Sequence, residues 1–248
     1  FHDTEPEISG GYMLKIDRAD PGDRGFSAAG QSLRYVEPKE DDIPSYQVTW
    51  IRNYFNAFSS ALQGNNFRHP TLGYRAYVDT LSWVDHHLLN VLPKNVDALR
   101  LSTYFYKNRS DKIEFGPIWD FDRSMNSTDG RDDNPTTWNG TGDGTDFFNY
   151  PWWGRLFDDP DFMQLYRDRW HELRQGPLSS SNIQNVIDSM ADEIREAQPR
   201  DSSKWGRISA SGWRTEISNL RSWLTTRAGW MDSQFRLPPT FTPAPGPV

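Results

Sequence analysis

Hydrophobic and polar positions change rhythm along the chain, and each change predicts an element. Residues 10–17, Gly-Gly-Tyr-Met-Leu-Lys-Ile-Asp, alternate behind a Gly-Gly turn and read as a strand. Residues 20–30 are acidic and glycine-containing and read as a loop. Asp41 or Asp42 can then cap a helix with Pro44 in its first turn. Its apolar residues Val48, Ile51, Tyr54, Phe55, Phe58 and Leu62 keep the spacing of one buried face. A second helix begins near Asp79 and carries Leu81, Val84, Leu88 and Leu92 to Pro93.

Beyond that helix the pattern turns to short strands, 101–107 and 112–118, which form a hairpin. Asp97 lies just before it and Asp120 just after it, so the hairpin can return both acids to one end. Residues 125–149 are rich in Asp, Asn, Gly and Thr and read as loop. The remainder reads as helices over 151–157, 161–175, 179–198 and 211–235, the last with a stripe of Trp213, Ile217, Leu220, Leu224 and Met231. No internal repeat is visible. The fold class is α+β, mainly helical, with a few N-terminal strands and one short hairpin carrying the acidic pair.

Composition narrows the function. Eleven Trp, ten Tyr and fourteen Phe in 248 residues, with mean hydropathy −0.80, describe a folded chain with a very polar surface. A net charge of −7 argues against sequence-independent nucleic-acid binding. No run approaches the roughly 18 apolar residues of a membrane helix. Without Cys the chain has neither disulfides nor thiolate metal sites, and its compartment stays open. It begins Phe1-His2-Asp3 and ends in a Pro-dense segment, so both ends are expected to continue into upstream and downstream parts of one polypeptide, with 236–248 as a linker.

Two acids around a hairpin form the layout by which kinase-type sites hold a hydroxyl-activating Asp and a magnesium-binding Asp. Neither half is a standard kinase signature: no His-Arg-Asp precedes Asp97 and no Asp-Phe-Gly occupies 120–122. The order of motifs nevertheless resembles the CotH kinase family. It runs from Gly10-Gly-Tyr-Met-Leu-Lys-Ile-Asp17 through Pro38-Lys-Glu-Asp-Asp-Ile43 and Asn90-Val-Leu-Pro-Lys-Asn-Val-Asp97 to Gly116-Pro-Ile-Trp-Asp-Phe-Asp122. The last motif is the most specific, and the resemblance fades after about Arg155.

The resemblance implies the larger lobe of an atypical protein-kinase-like fold over 1–235, with further β structure expected before Gly10. It also implies a secreted, extracellular or cell-surface protein, linked in multidomain members to carbohydrate-associated or lamin-tail-like domains. The implied activity is Mg²⁺-dependent transfer of the ATP γ-phosphate to Ser or Thr of an extracellular or coat protein. The alternative is a non-catalytic exported adhesion or scaffolding module that keeps the fold.

On that resemblance Asp97 is the catalytic residue, against the plainer reading of a capping Asp. Asp120 holds the metal, with Asp122 as a second ligand or as a partner of Arg123. One or two carboxylates suffice beside phosphates, because Mg²⁺ prefers hard oxygens and keeps waters. Ser102 stands five residues after Asp97, where protein kinases place a metal-binding Asn. Asn95 is a substitute for that Asn. Trp119 could wall the nucleotide pocket or sit in the core. Lys15 could contact phosphate or be an ordinary surface Lys. No glycine-rich phosphate loop is present.

Other signals carry less. Asp129, Asp132, Asp133, Asp143 and Asp146 could bind calcium, but no EF-hand spacing is met, so a solvated loop is the default. His69, His86, His87 and His171 lack a metal-binding frame and read as structural. Asn108, Asn126 and Asn139 begin glycosylation sequons, which matter only in a eukaryotic source.

Overall fold

The computed structural model of the chain describes residues 3–236, apart from 143 and 207. It is an α+β structure. Among the described residues, seven α-helices accompany one five-stranded antiparallel sheet. The chain divides near residue 163 into two compact units.

The sheet belongs to the first unit. Its strands are β1 (Tyr12–Ile16), β2 (Gly25–Ala28), β3 (Gln31–Glu37), β4 (Thr103–Lys107) and β5 (Ile113–Phe115), in the order β2-β3-β1-β4-β5. The central strand β1 buries Tyr12, Leu14 and Ile16 on one face. Lys15 lies on the other face, opposite Tyr104 on β4 and Arg34 on β3.

The structure corrects the loop expected over 20–30. Part of that segment is β2, which pairs with β3 as a hairpin, Ala28 opposite Gln31. Ala29 and Gly30 make the turn with φ of 54° and 74°, the two positive values a type I′ turn requires. Ala-Gly lacks the Asn-Gly or Asp-Gly signal of such turns, and a four-residue strand shows too little alternation to be read. The second hairpin is shorter than predicted, because Ser102 (φ 49°) and Gly116 (φ 142°) leave the extended region.

Helix α1 (Ser45–Gln63) buries Ile51, Phe55, Phe58 and Leu62 as its spacing predicts. Pro44 occupies the cap position and no side chain caps the helix, so Asp41 and Asp42 do not have that role. In α2 (Thr80–Val91), Asp79 accepts the Ser82 N–H at 2.7 Å and caps the start. Its buried face holds Trp83, Val84, His87, Leu88 and Val91, whereas Leu81 is 45% exposed and not part of the stripe.

Trp83 anchors the aromatic core, with its ring 4.5 Å from Phe115 and 5.5 Å from Phe58. Trp152 joins it at 5.7 Å and donates its indole N–H to the Ala29 carbonyl at 2.6 Å. That bond ties the β2–β3 turn to the short helix α3 (Trp153–Phe157). Burying each of these large rings contributes about 1.5–3 kcal/mol, which makes this cluster the scaffold for the loops above it.

Helix α4 (Pro160–Arg174) contains the division between the units. In the second unit α5 (Ser180–Ile194) and α6 (Ala197–Trp205) replace the single helix expected over 179–198. Pro199 explains the break. Inside one continuous helix it would remove a backbone bond and clash, whereas near the start of α6 it sits where the first N–H groups are unbonded. In α7 (Ala210–Gln234), Leu224 and Met231 are buried, and Trp213, Ile217 and Leu220 are half-buried. Asp232 accepts from the Trp170 indole at 2.9 Å and from Arg174 Nε at 3.0 Å. The Pro-dense linker expected over 236–248 lies, apart from Arg236, outside the described residues.

Candidate active site

Two loops converge beside the β4–β5 hairpin. The first leaves α2, turns at Lys94 (φ 54°) and carries Asn95 and Asp97. The second follows β5 and carries Trp119, Asp120 and Asp122. Two backbone bonds join them: Val96 N–H to the Arg123 carbonyl at 3.3 Å, and Met125 N–H to the Pro93 carbonyl at 2.9 Å. Asn95, 1% exposed, adds a third tie by donating from Nδ2 to the Asp120 carbonyl at 3.1 Å. Lys94 is fully buried and donates to the Asn134 carbonyl at 2.9 Å and to Thr137 Oγ1 at 2.8 Å, which draws the 125–149 segment onto the same loops.

The result is a cavity of about 290 Å³. Asp97, Ser102, Trp119, Asp120 and Asp122 all line it, together with Asp17, Arg18, Leu101 and Arg123. Five of the side chains singled out in the sequence thus share one wall. Asn95 stands behind that wall. Lys15 does not line the cavity; its Nζ pairs with Asp23 Oδ2 at 3.4 Å. Burial disfavours the Lys15 charge, but the Asp23 carboxylate more than offsets this and holds its pKa above the usual value.

Asp97 is not a backbone cap. Its Oδ1 accepts from Arg131 Nη1 at 3.0 Å and from Arg100 Nη2 at 3.4 Å, and its Oδ2 has no hydrogen bond among the described residues. Arg131 also grips Asp129 through Nε and Nη2, and Arg123 joins Asp129 (3.3 Å) to Asp122 (3.4 Å). The Arg131 hydrogen bond pulls the Asp129 pKa below the ordinary carboxylate value. An alternating chain of charges therefore runs from Asp97 to Asp122 around the cavity.

Asp120 has left-handed backbone (φ 63°), and its Oδ2 accepts the Ser102 hydroxyl at 2.8 Å. Its Oδ1 has no hydrogen bond among the described residues. Trp119 is 50% exposed, not a core residue, and its ring meets Tyr104 edge-on at 5.6 Å. Among the described residues no group of three or more His, Asp or Glu forms a preformed metal cage. The donor set still fits Mg²⁺. Asp120 and Asp122 present hard carboxylate oxygens to one cavity, and one or two such ligands are what Mg²⁺ takes beside phosphates and waters.

A family model described as CotH kinase protein matches residues 2–231. The chain belongs to the CotH kinase family. Among curated proteins, none matches it.

In this CotH kinase family member the sequence reading missed the two guanidiniums that hold Asp97. Arg100 stands three residues after Asp97, one helical turn, which is a weak signal. Arg131 comes from 34 residues away, inside a segment read as solvated loop, and nothing local marks it. The described residues of that segment form neither helix nor strand, as read, but it is not solvated throughout: Asp132 is fully buried and accepts from Ser127 N–H (2.7 Å) and Oγ (2.9 Å). The histidines have structural surroundings. His86 and His87 are buried, His87 Nε2 lies 3.0 Å from the Phe147 carbonyl, and His69 Nδ1 accepts two backbone N–H groups at 3.2 Å.

Proposed function

We propose that this chain is an atypical protein kinase of the CotH type, built on a kinase-like fold, transferring the γ-phosphate of Mg·ATP to a Ser or Thr hydroxyl. The observation that carries the reading is the shared cavity: an Asp97 carboxylate with one oxygen held and the other without a hydrogen bond among the described residues, lining the same cavity as Asp120 and Asp122. Such a site acts by positioning and charge, with little covalent chemistry of its own.

Asp97 Oδ2 accepts the hydrogen of the acceptor hydroxyl and aims its oxygen at the γ-phosphorus. The new O–P bond forms as the bond to the β-phosphate oxygen breaks; the hydroxyl proton passes to Asp97 and ADP leaves. Arg131 and Arg100 hold the carboxylate in that orientation through Oδ1. Asp120 and Asp122 would hold Mg²⁺, which when bound neutralises charge on the β- and γ-phosphates. Ser102 fixes the Asp120 carboxylate, Asn95 fixes its backbone, and Trp119 walls the nucleotide side. On the family reading, the substrate is an extracellular or coat protein.

One observation favours a second reading, an exported adhesion or scaffolding module. The Asp97 charge is already balanced by two guanidiniums, as in a purely structural ion pair. Isothermal titration of the chain with Mg·ATP, followed by transfer of labelled γ-phosphate to a Ser/Thr acceptor, separates the two. The kinase binds and transfers, with Asp97→Asn as the blank; the module does neither.

A further inference from the structure

We infer that Arg18, and not Lys15, is the side chain of this chain that grips the outer phosphate oxygens of the bound nucleotide; the inference rests on the kinase reading above. Arg18 lies two residues beyond the end of β1. Ile16 pairs with Thr103, so the continuing chain brings Asp17 and Arg18 beside Ser102 at the cavity wall.

The charges at that wall decide the assignment. Among the described residues four carboxylates line the cavity, Asp17, Asp97, Asp120 and Asp122, against two guanidiniums, Arg18 and Arg123. A triphosphate entering there meets strong repulsion unless cations offset it, and a divalent ion at Asp120 and Asp122 offsets only part. Arg123 is held by Asp122 at 3.4 Å and Asp129 at 3.3 Å. Arg18 is exposed, and among the described residues no carboxylate pairs with its guanidinium; the only Arg18 atom bonded to Asp17 is its backbone N–H, at 2.8 Å. Its planar fork suits bidentate contact with phosphate oxygens. Lys15 is committed to Asp23 and stands outside the wall, so recruiting it would break an existing pair.

The test is isothermal titration of the full chain and of Arg18→Met, Arg18→Lys and Lys15→Met with Mg·ATP and with AMP, each variant first checked by thermal melting. Arg18→Met should weaken Mg·ATP roughly tenfold or more, as expected for losing hydrogen bonds to a charged group, and leave AMP unchanged. Arg18→Lys should fall between, because a point charge replaces the fork. Lys15→Met should match the parent. Parent-like Mg·ATP affinity in Arg18→Met, or a larger loss in Lys15→Met, would overturn this assignment and leave the kinase reading standing. A parent chain that binds neither nucleotide would overturn both.

Discussion

Asp97 Oδ1 and Arg131 Nη1 lie 3.0 Å apart, joining the loop after α2 to a segment 34 residues later. The pair leaves only the second oxygen of Asp97 for chemistry and fixes where it points. Asp97→Asn should therefore reduce phosphoryl transfer by about 10²–10⁴-fold, the usual share of a positioned acid–base group. Arg131→Met should reduce it less, roughly 10²-fold, through misorientation alone. Its melting temperature should barely move, since partly exposed ion pairs contribute about 0–1 kcal/mol. Faster transfer in Arg131→Met would show instead that the pair restrains the site.

Asp120→Asn should abolish Mg²⁺-dependent ATP binding with the fold intact. Asn tolerates the left-handed backbone at φ 63°, and its side-chain oxygen can still accept from Ser102. Asp120→Ala removes the same ligand but adds about 1–2 kcal/mol of backbone strain. Titration calorimetry and urea unfolding of both variants check this: equal loss of affinity, with lower stability only in the Ala variant. Unchanged affinity in Asp120→Asn would leave Asp120 a structural residue.

How much of this was legible follows from where the information sits. The α1 face, the start of α2 near Asp79 and the hairpin between Asp97 and Asp120 rest on local patterning, and each was readable. The acidic half of the cavity was readable for the same reason, because both acids flank one hairpin. The Arg131 grip on Asp97 was not, because it arises only through long-range folding of the 125–149 segment around Lys94. The β2–β3 hairpin escaped because its Ala-Gly turn gives no composition signal. Lys15 stayed open between a phosphate contact and an ordinary surface Lys because sequence does not show Asp23 folding back onto it.

Folding stability should fall on acidification below about pH 6.5 in a way that depends on two histidines. Burial drives the pKa of His86 and of His87 down to about 3. The unfolded chain keeps the ordinary value near 6.5, so between these limits it binds more protons than the folded chain. Stability is therefore full above pH 6.5 and is lost as the pH drops toward 3, by about 1.4 kcal/mol per pH unit for each group. His86 stacks on Phe115 at 4.6 Å, and neither ring nitrogen has a hydrogen-bond partner among the described residues. His86→Phe should thus fold and shed one histidine's share of the slope. Urea midpoints from pH 4 to 8 measure it, and parallel curves for parent and variant would show that His86 is not a titrating element of stability.

Trp119 links the nucleotide reading to the surface-module alternative, because both use its exposed ring. Half of it is open to solvent, and its one aromatic partner among the described residues is Tyr104, so Trp119→Ala should cost the fold no more than about 1.5 kcal/mol. If the ring walls the base, its loss should weaken Mg·ATP by about 1–3 kcal/mol, the range for one base stacked on an aromatic side chain. Inorganic tripolyphosphate with Mg²⁺ has no base and should bind both proteins alike. Titrating parent and variant with the two ligands separates stacking from indirect effects on the neighbouring Asp120. Selective loss of ATP identifies Trp119 as the base platform. Equal weakening of both ligands would mean the ring merely holds Asp120 in place. Undiminished binding of both would free Trp119 for contact with another macromolecule.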